Sequence, residues 1–190
     1  MCNTRRSAGL PYLFSAICSC DIGKRGKPLL LKAMDKIFPL AKQVENPELS
    51  CHGRNILRSL FREKSLGEDV LVFAEDALMC SISGFADKSW ALRNTSAMLY
   101  STLCSRIFGV KKTDEEAKIS NSEFFSRFTK LEGFLLKNLE EGSKLVHDHK
   151  LPPTLLPSLL IIQRLYPTGN SKNEARFIDV LFRCAGSRSK

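Results

Sequence analysis

The sequence predicts an all-α fold built from stacked helix pairs, and the stretch 89–112 is the main reason. It carries apolar side chains on nearly every face, as a buried helix does. Yet Arg93 and Asn94 lie in its interior, and a buried helix keeps such groups only where they are hydrogen-bonded or paired. This combination favours helices stacked in repeats, with a polar ladder between them. No segment alternates apolar and polar residues between hairpin turns, so no strands are predicted.

A faint internal repeat also favours stacked helix pairs. The pairs Arg54-Asn55 and Arg93-Asn94 are 39 residues apart (54 to 93), and each precedes an apolar–aromatic pair. Helix-pair repeats of the HEAT and armadillo type recur about every 40–47 residues. We therefore predict a HEAT/armadillo-type α-solenoid with about four helix pairs. It should form a single region, 1–190, with a charged loop at 110–120.

Each helix predicted in the first half has a start or a stop signal in the sequence. Proline fits the first turn of a helix because it lacks the N–H that would be left unpaired there. Serine and aspartate cap that turn, and glycine ends helices because it accepts a positive φ. The predicted helices are 5–19, interrupted at Pro11; 28–42, with Pro28 in its first turn; 50–64, capped by Ser50; 68–83, between Gly67 and Gly84; and the long helix from Asp87 to Phe108, ended by Gly109.

The second half is predicted to be helical as well. Ser120 and Glu123 form an S-x-x-E capping box, in which each side chain satisfies a backbone N–H of the first turn. Turns are expected at Pro152-Pro153 and at 167–170. The helices predicted here are a short one starting at Ser120, then 131–147, 154–166 and 173–184. The cluster of Phe124, Phe125 and Phe128 is assigned to the core, with a base-stacking platform as the alternative.

Charge is the only compositional hint of a ligand. The net charge is +9, divided into +7 for residues 1–64, −2 for 65–110 and +4 for 111–190. A basic excess suits a polyanion such as RNA, but many helical proteins of other functions are equally basic. Contact with RNA or a partner is assigned to Arg5, Arg6, Arg106, Lys111 and Lys112. A solvated helix start and a helix C-terminal dipole explain the same residues without a ligand.

The ladder residues have two interpretations. The structural ladder is predicted to consist of Arg54, Asn55, Arg93 and Asn94. For Arg93 and Asn94, the favoured role is hydrogen bonding to loop carbonyls between helices. The alternative is a contact with RNA phosphate or with a partner protein.

Other features argue against an enzyme and against a membrane protein. There is no G-x-S-x-G, H-E-x-x-H or P-loop pattern, so no catalytic residues, cofactor or metal ligands are assigned. The seven cysteines are an odd number without zinc-binding spacing, which favours buried free thiols in a reducing compartment. No apolar run reaches the roughly 18 residues of a membrane span, and no signal peptide is evident. A soluble, cytoplasmic protein is therefore expected.

Both ends of the chain look too apolar to cap a stack of repeats. The residues expected to be exposed are Leu10, Tyr12, Leu13 and Ile17 at one end, and Phe177, Ile178, Val180, Leu181 and Phe182 at the other. Exposed apolar patches of this kind usually mark contact surfaces.

Several long strings, in order along the chain, resemble the thyroid adenoma-associated protein family. They are TRRSAGLP at 4–11, NILRSLFREKSLGED at 55–69, WALRNTSAMLYSTLCSRIFGVKK at 90–112, EFFSRF at 123–128, LLPSLLIIQRLYP at 155–167 and the terminal FRCAGS. Three differences stand out: the chain is much shorter than a full member, the loop at 112–119 is shorter and more acidic, and TKLEGF at 129–134 replaces a proline-containing stretch.

The resemblance implies a large α-solenoid that is the non-catalytic partner of an FtsJ-type tRNA methyltransferase. In such a pair, the enzyme binds S-adenosylmethionine and methylates a ribose 2′-hydroxyl in the tRNA anticodon loop. The solenoid helps to select and place the tRNA. The alternative is a HEAT-type adaptor that binds proteins alone and has no role with RNA.

Overall fold

A computed structural model describes residues 9–21, 27–109, 118–145, 151–169 and 173–185. Within these segments the chain forms nine α-helices and two strands of two residues each, which confirms the all-α prediction. The helices are α1 (Leu10–Ser19), α2 (Pro28–Ala41), α3 (Pro47–Arg62), α4 (Ala74–Ser83), α5 (Trp90–Phe108), α6 (Asn121–Arg127), α7 (Thr129–Leu145), α8 (Leu155–Ile162) and α9 (Glu174–Ala185). The strands are β1 (Ile119–Ser120) and β2 (Leu165–Tyr166).

The chain consists of two compact units, Met1–Ile107 and Phe108–Lys190. In the first unit, α3 packs against both α1 and α2. The approach of α3 to α2 is close at Gly53, where an added Cβ would lie 2.6 Å from the backbone nitrogen of Ala41. Only glycine leaves room for that backbone contact. The core around it is fully buried and includes Ile37, Leu57, Leu60, Leu78 and Leu99.

The start of α3 differs from the prediction. Asn46 is its N-cap, because the Asn46 side-chain oxygen accepts from the backbone N–H groups of Glu48 and Leu49 at 3.1 Å. Pro47 then occupies the first helical position, where no N–H donor is needed. Ser50, predicted as the cap, is instead fully buried inside the helix, and its hydroxyl donates to the Ala41 carbonyl at 2.7 Å.

The helix predicted over 68–83 was wrong in its first part. Gly67 has a φ of +50°, which turns the chain out of the helical path. Two short 3₁₀ turns, Lys64–Leu66 and Leu71–Phe73, precede α4, which begins only at Ala74. The end at Ser83–Gly84 agrees with the prediction.

The helix α5 is less buried than its composition suggested. Its buried stripe includes Leu92, Ser96, Leu99 and Leu103, which recur at helical spacing. Trp90, by contrast, is 60% exposed, and Asn94 is exposed too, so burial on nearly every face was wrong. The helix stops at Gly109 as predicted, with a φ of +75°.

The second unit is organised around an aromatic cluster. Phe124 stacks on Phe108 with ring centroids 5.5 Å apart, and Phe125 stacks on Phe177 at 5.7 Å. Phe128 completes the cluster against Phe124, and all five rings are buried. The assignment of this cluster to the core is confirmed.

Other contacts fix the remaining helices of this unit. The Ser120 hydroxyl accepts from the Glu123 backbone N–H at 3.1 Å, so Ser120 is the N-cap that was predicted. The helix α7 packs against α8 and α9. An added Cβ at Gly142 would lie 2.7 Å from the Leu155 side chain, which shows how closely α7 meets α8.

The two strands were not predicted. Ile119 pairs with Leu165 and Ser120 with Tyr166, in parallel. Two residues are too few to show alternation in a sequence, and the helix predicted over 154–166 accordingly ends early, at Ile162.

Two further predictions, the exposed apolar residues of α9 and the charged loop, can be compared with the structure only in part. Of the apolar residues expected to be exposed in α9, Phe177 and Val180 are buried, whereas Ile178 and Phe182 are exposed. The charged loop at 110–120 lies outside the described residues up to 117. Within the described segments, none of the helices combines the length and the apolar character that crossing a bilayer requires.

Candidate functional site

Most residues assigned to RNA or partner contact cannot be placed. Arg5, Arg6, Lys111 and Lys112 lie outside the described residues. Arg106 is described, and its Nη2 donates to the Gly67 carbonyl at 2.8 Å. This bond ties the last turn of α5 to the turn that precedes α4. The side chain therefore has a structural role, and its contact with RNA stays a prediction.

Arg54 is the most buried charged side chain among the ladder residues. It is only 5% exposed. Its Nε donates to the carbonyl of Ala41, the last residue of α2, at 3.2 Å. One terminal nitrogen donates to the hydroxyl of Ser96 on α5. The guanidinium of α3 thus joins α2 to α5 through two hydrogen bonds, as a ladder residue would.

Arg93 is placed differently from Arg54. It is half-buried, and its Nη1 donates to the carbonyls of Asp87 and Lys88, both at 2.9 Å. Those carbonyls belong to the loop that leads into α5, the helix of Arg93 itself. Arg93 therefore links the first turn of α5 to the loop before it and does not bridge two helices. Asn55 is half-buried and Asn94 is exposed.

A cavity of about 270 Å³ lies beside Arg54 in the first unit. The side chains that matter for its chemistry are Lys42, Val44, Arg54, Met79, Cys80 and Asp87. Two cations and one carboxylate therefore share the cavity with apolar groups and a thiol. Asp87 is engaged at the start of α5, where its Oδ1 accepts from the Ser89 backbone N–H at 2.7 Å.

Gly84 makes room for the guanidinium at one wall of this cavity. A Cβ added there would overlap the Arg54 guanidinium and the Ser96 hydroxyl. The φ of Gly84 is −72°, which every residue can adopt, so space and not backbone conformation requires glycine. The slot for Arg54 is therefore formed by the absence of a side chain.

The Ala41 carbonyl is the focus of the polar network. It accepts from the Ser50 hydroxyl, from Arg54 and, at 3.6 Å, from the Cys80 thiol. Burial raises the pKa of the Cys80 thiol, although the positive charges of Arg54 and Lys42 act in the opposite direction. Cys80 therefore stays a protonated donor at neutral pH, which suits a structural role and not a nucleophilic one.

The described cysteines are free thiols with different exposures. Cys18, Cys51 and Cys80 are buried, Cys20 is exposed, and Cys104 and Cys184 are intermediate. The expectation of buried thiols thus holds for three of the six. Within the described ranges, no group of three or more His, Cys, Asp or Glu residues is placed to hold a metal ion.

Sequence reasoning identified Arg54 but missed the residues that surround it. Ser96 is 42 positions from Arg54 in the sequence, and Cys80 is 39 positions from Ala41. No local pattern links residues so far apart. The one available signal was Gly84, which was assigned only to a helix end.

Comparison with known proteins identifies the family. The model described as "THADA/TRM732, DUF2428" matches residues 1–91, and the model "Trm732, C-terminal TPR repeats" matches residues 93–189. The chain belongs to the THADA/Trm732 family. The two matches meet at the start of α5. TPR repeats are helix pairs, so the family also supports the solenoid class predicted for the chain.

Individual THADA/Trm732 members match nearly the whole chain. A protein of Chlorocebus aethiops described as "tRNA (32-2'-O)-methyltransferase regulator THADA" is 38% identical over 98% of this chain. The human protein of the same description is 36% identical over 98%, and the regulator trm732 of Schizosaccharomyces pombe is 32% identical over 97%. The chain spans 10% of the length of the two animal relatives and 14% of the yeast one. No solved structure matches the chain.

Proposed function

We propose that this chain is part of a non-catalytic regulator of tRNA ribose 2′-O-methylation at nucleotide 32. The observation that carries the proposal is the match to relatives described as regulators of that methyltransferase, over almost all of the chain. The relatives are about tenfold or sevenfold longer, so the chain corresponds to one portion of such a regulator. We place its action in the cytoplasm.

In this proposal the chemistry belongs to a separate, FtsJ-type methyltransferase, which binds S-adenosylmethionine. The chain supplies a helical surface that holds the enzyme, with tRNA as a second ligand. The buried network around Arg54 supports a scaffold role, since it fixes α2, α3 and α5 in one arrangement. A rigid helical surface is what positioning a partner requires.

A methyl-transfer assay tests whether the enzyme alone is catalytic and the chain is its regulator. The purified chain is incubated with labelled S-adenosylmethionine and unmodified tRNA, with and without the FtsJ-type enzyme of the same organism. We expect no label in tRNA without the enzyme, and added label at nucleotide 32 when both proteins are present. Transfer by the chain alone would overturn the non-catalytic assignment. Failure of the chain to bind or stimulate the enzyme would overturn the regulatory one.

A second candidate is an adaptor that binds the enzyme but not RNA. The engagement of Arg106 with the Gly67 carbonyl favours it, because this leaves the one described RNA candidate with a structural task. Binding to labelled tRNA at two salt concentrations separates the candidates. Binding through phosphates weakens steeply as salt rises, whereas the adaptor shows no tRNA binding at either concentration.

A further inference from the structure

In the part of the chain that the structure describes, the cation of Arg54 is hydrogen-bonded to neutral groups. At 5% exposure it bonds to a carbonyl and a hydroxyl, and among the described residues it forms no ion pair with a carboxylate. A buried charge is costly when no opposite charge compensates it. An anion in the cavity beside Arg54 would supply that compensation.

A second cation faces the same cavity. Lys42 lies at its rim, with its Nζ 5.3 Å from the centre of the Phe38 ring. The positive charges of Lys42 and Arg54 both act on Cys80 in the cavity wall, so their fields overlap there. Among the described lining residues, the carboxylate of Asp87 opposes these charges, and it already accepts from the Ser89 N–H. The described lining therefore carries two cations and one carboxylate, and a further carboxylate, Asp76, acts on Cys80 from outside the lining.

The rest of the lining favours a singly charged, partly apolar ligand. Val44, Met79 and Leu92 provide apolar surface beside the cations. Asp76 and Asp87 lie close enough to oppose a doubly charged group, since Asp76 acts on Cys80 and Asp87 lines the cavity. A phosphate dianion would be repelled by both about twice as strongly as a singly charged carboxylate, because the repulsion scales with the charge of the ligand. A carboxylate on a short apolar stem fits the cations and the apolar wall together.

We infer that the cavity beside Arg54 and Lys42 is a binding site for a carboxylate carried on a short apolar chain. The carboxylate pairs with the guanidinium and the ammonium, and its methylene groups contact Met79 and Val44. Two sources share this chemistry: a free organic acid and a glutamate side chain of a bound protein. This inference does not depend on tRNA modification. A test that fails here leaves the proposed regulatory function untouched, and the reverse also holds.

Solution NMR of the full chain, with the Met79 methyl group and the Gly84 amide as reporters, tests the inference. Butanoate is the probe for a free acid, and N-acetyl-glutamate amide is the probe for a protein side chain. Butanol and N-acetyl-glutamine amide are their uncharged counterparts. We expect saturable shifts of both reporters with butanoate and none with butanol. The glutamate probe shifts the reporters as well if the site accepts a protein side chain, and fails to do so if only free acids enter.

A pair of lysine variants shows whether the shifts report this cavity. Lys42→Met should weaken butanoate binding by roughly two- to fivefold, as expected for the loss of one solvent-accessible charge pair. Lys36→Met is the matched control, because it removes an exposed lysine of α2, the helix that ends just before Lys42, and Lys36 does not line the cavity. Both substitutions are at exposed positions, so the fold should be retained. Equal affinities in the two variants, equal shifts with butanol, or tighter binding of inorganic phosphate than of butanoate would overturn the inference.

Discussion

The guanidinium of Arg54 on α3 donates a hydrogen bond to the hydroxyl of Ser96 on α5, 42 residues further along the chain. The same guanidinium donates to the Ala41 carbonyl at the end of α2. Ser96 in turn donates to the Leu92 carbonyl at 2.5 Å, within its own helix. One side chain therefore joins the consecutive helices α2 and α3 to the more distant helix α5.

Replacing Arg54 with alanine should destabilise the first unit more than replacing Arg93 does. Arg54→Ala leaves buried acceptors with fewer donors, at a cost of about 1–3 kcal/mol. Arg93 is half-buried, so water can take over at the carbonyls of Asp87 and Lys88. Urea unfolding, followed by circular dichroism, measures the free energy of unfolding of both variants. The exposed Arg62 supplies the control variant Arg62→Ala, which should change stability little. A cost for Arg93→Ala equal to that for Arg54→Ala would contradict the ranking.

Adding one methyl group at Gly84 should be as harmful as removing Arg54. In Gly84→Ala the new Cβ overlaps the guanidinium of Arg54 and the hydroxyl of Ser96, so one of them must leave its bond. Overpacking of this kind costs about 1–3 kcal/mol. The double variant Arg54→Ala, Gly84→Ala should be more stable than the sum of the two single effects predicts, because the clash disappears with the arginine. Strict additivity would show that Gly84 does not act through Arg54.

The opposite result is expected at Gly133. This glycine is exposed in the interior of α7, and an added Cβ meets no heavy atom within 4 Å. Alanine loses less backbone entropy on folding than glycine in a helix, so Gly133→Ala should stabilise the second unit by about 0.5–1 kcal/mol. Thermal unfolding gives the measurement. A lower midpoint would mean that the position makes contacts that the structure does not contain.

The free thiols should differ widely in reactivity. Cys20 is exposed, whereas burial raises the pKa of both Cys18 and Cys80 and keeps them protonated. Alkylation at neutral pH, followed by peptide mass spectrometry, should modify Cys20 first and Cys18 and Cys80 only after unfolding. Simultaneous labelling of all three in the folded chain would refute the burial of the α1 and α4 thiols.

The same pKa shift gives a pH dependence of stability. The folded state raises the pKa of Cys80 above its value in the unfolded chain, so it favours the neutral thiol. The corresponding stability is fully present below the unfolded pKa and is lost as the pH rises through the folded one. Stability should therefore fall at alkaline pH, and fall less in Cys80→Ala than in the parent. Parallel alkaline profiles of the two proteins would show that another group is responsible.

The sequence was sufficient for elements whose ends are set by local chemistry. The predicted limits of α2 and α9 are each within about one residue of those observed, because Pro28 and the flanking polar residues act within one turn. Prediction from the sequence failed where contacts between residues distant in the chain determine the backbone path. The path from Gly67 to Phe73 depends on a positive φ at Gly67 followed by the 3₁₀ turn Leu71–Phe73, which the apolar pattern of 68–83 concealed.

In the candidate site, too, local features could be predicted from the sequence and contacts between distant residues could not. A buried arginine could be inferred from an apolar helix pattern, and both Arg54 and Arg93 were assigned to the ladder; the structure buries Arg54 and leaves Arg93 half-buried. The cavity and the slot at Gly84 could not be predicted, because they arise where α2, α3, α4 and α5 meet. Only the three-dimensional packing brings Lys42 and Arg54 to one cavity.

The chain should associate with itself through the exposed apolar face of α1. Tyr12 is 75% exposed, and Leu13 and Ile17 are exposed beside it on the same short helix. A cluster of that kind favours contact with another apolar surface. Light scattering across a concentration series should show a mass that rises with concentration. The double variant Tyr12→Lys, Leu13→Lys should reduce this association, whereas Val72→Lys, at a residue that is 80% exposed on a 3₁₀ turn, should leave it unchanged. A monodisperse monomer at high concentration would show that these side chains stay in water, and equal effects of the two variants would show that added charge alone prevents association.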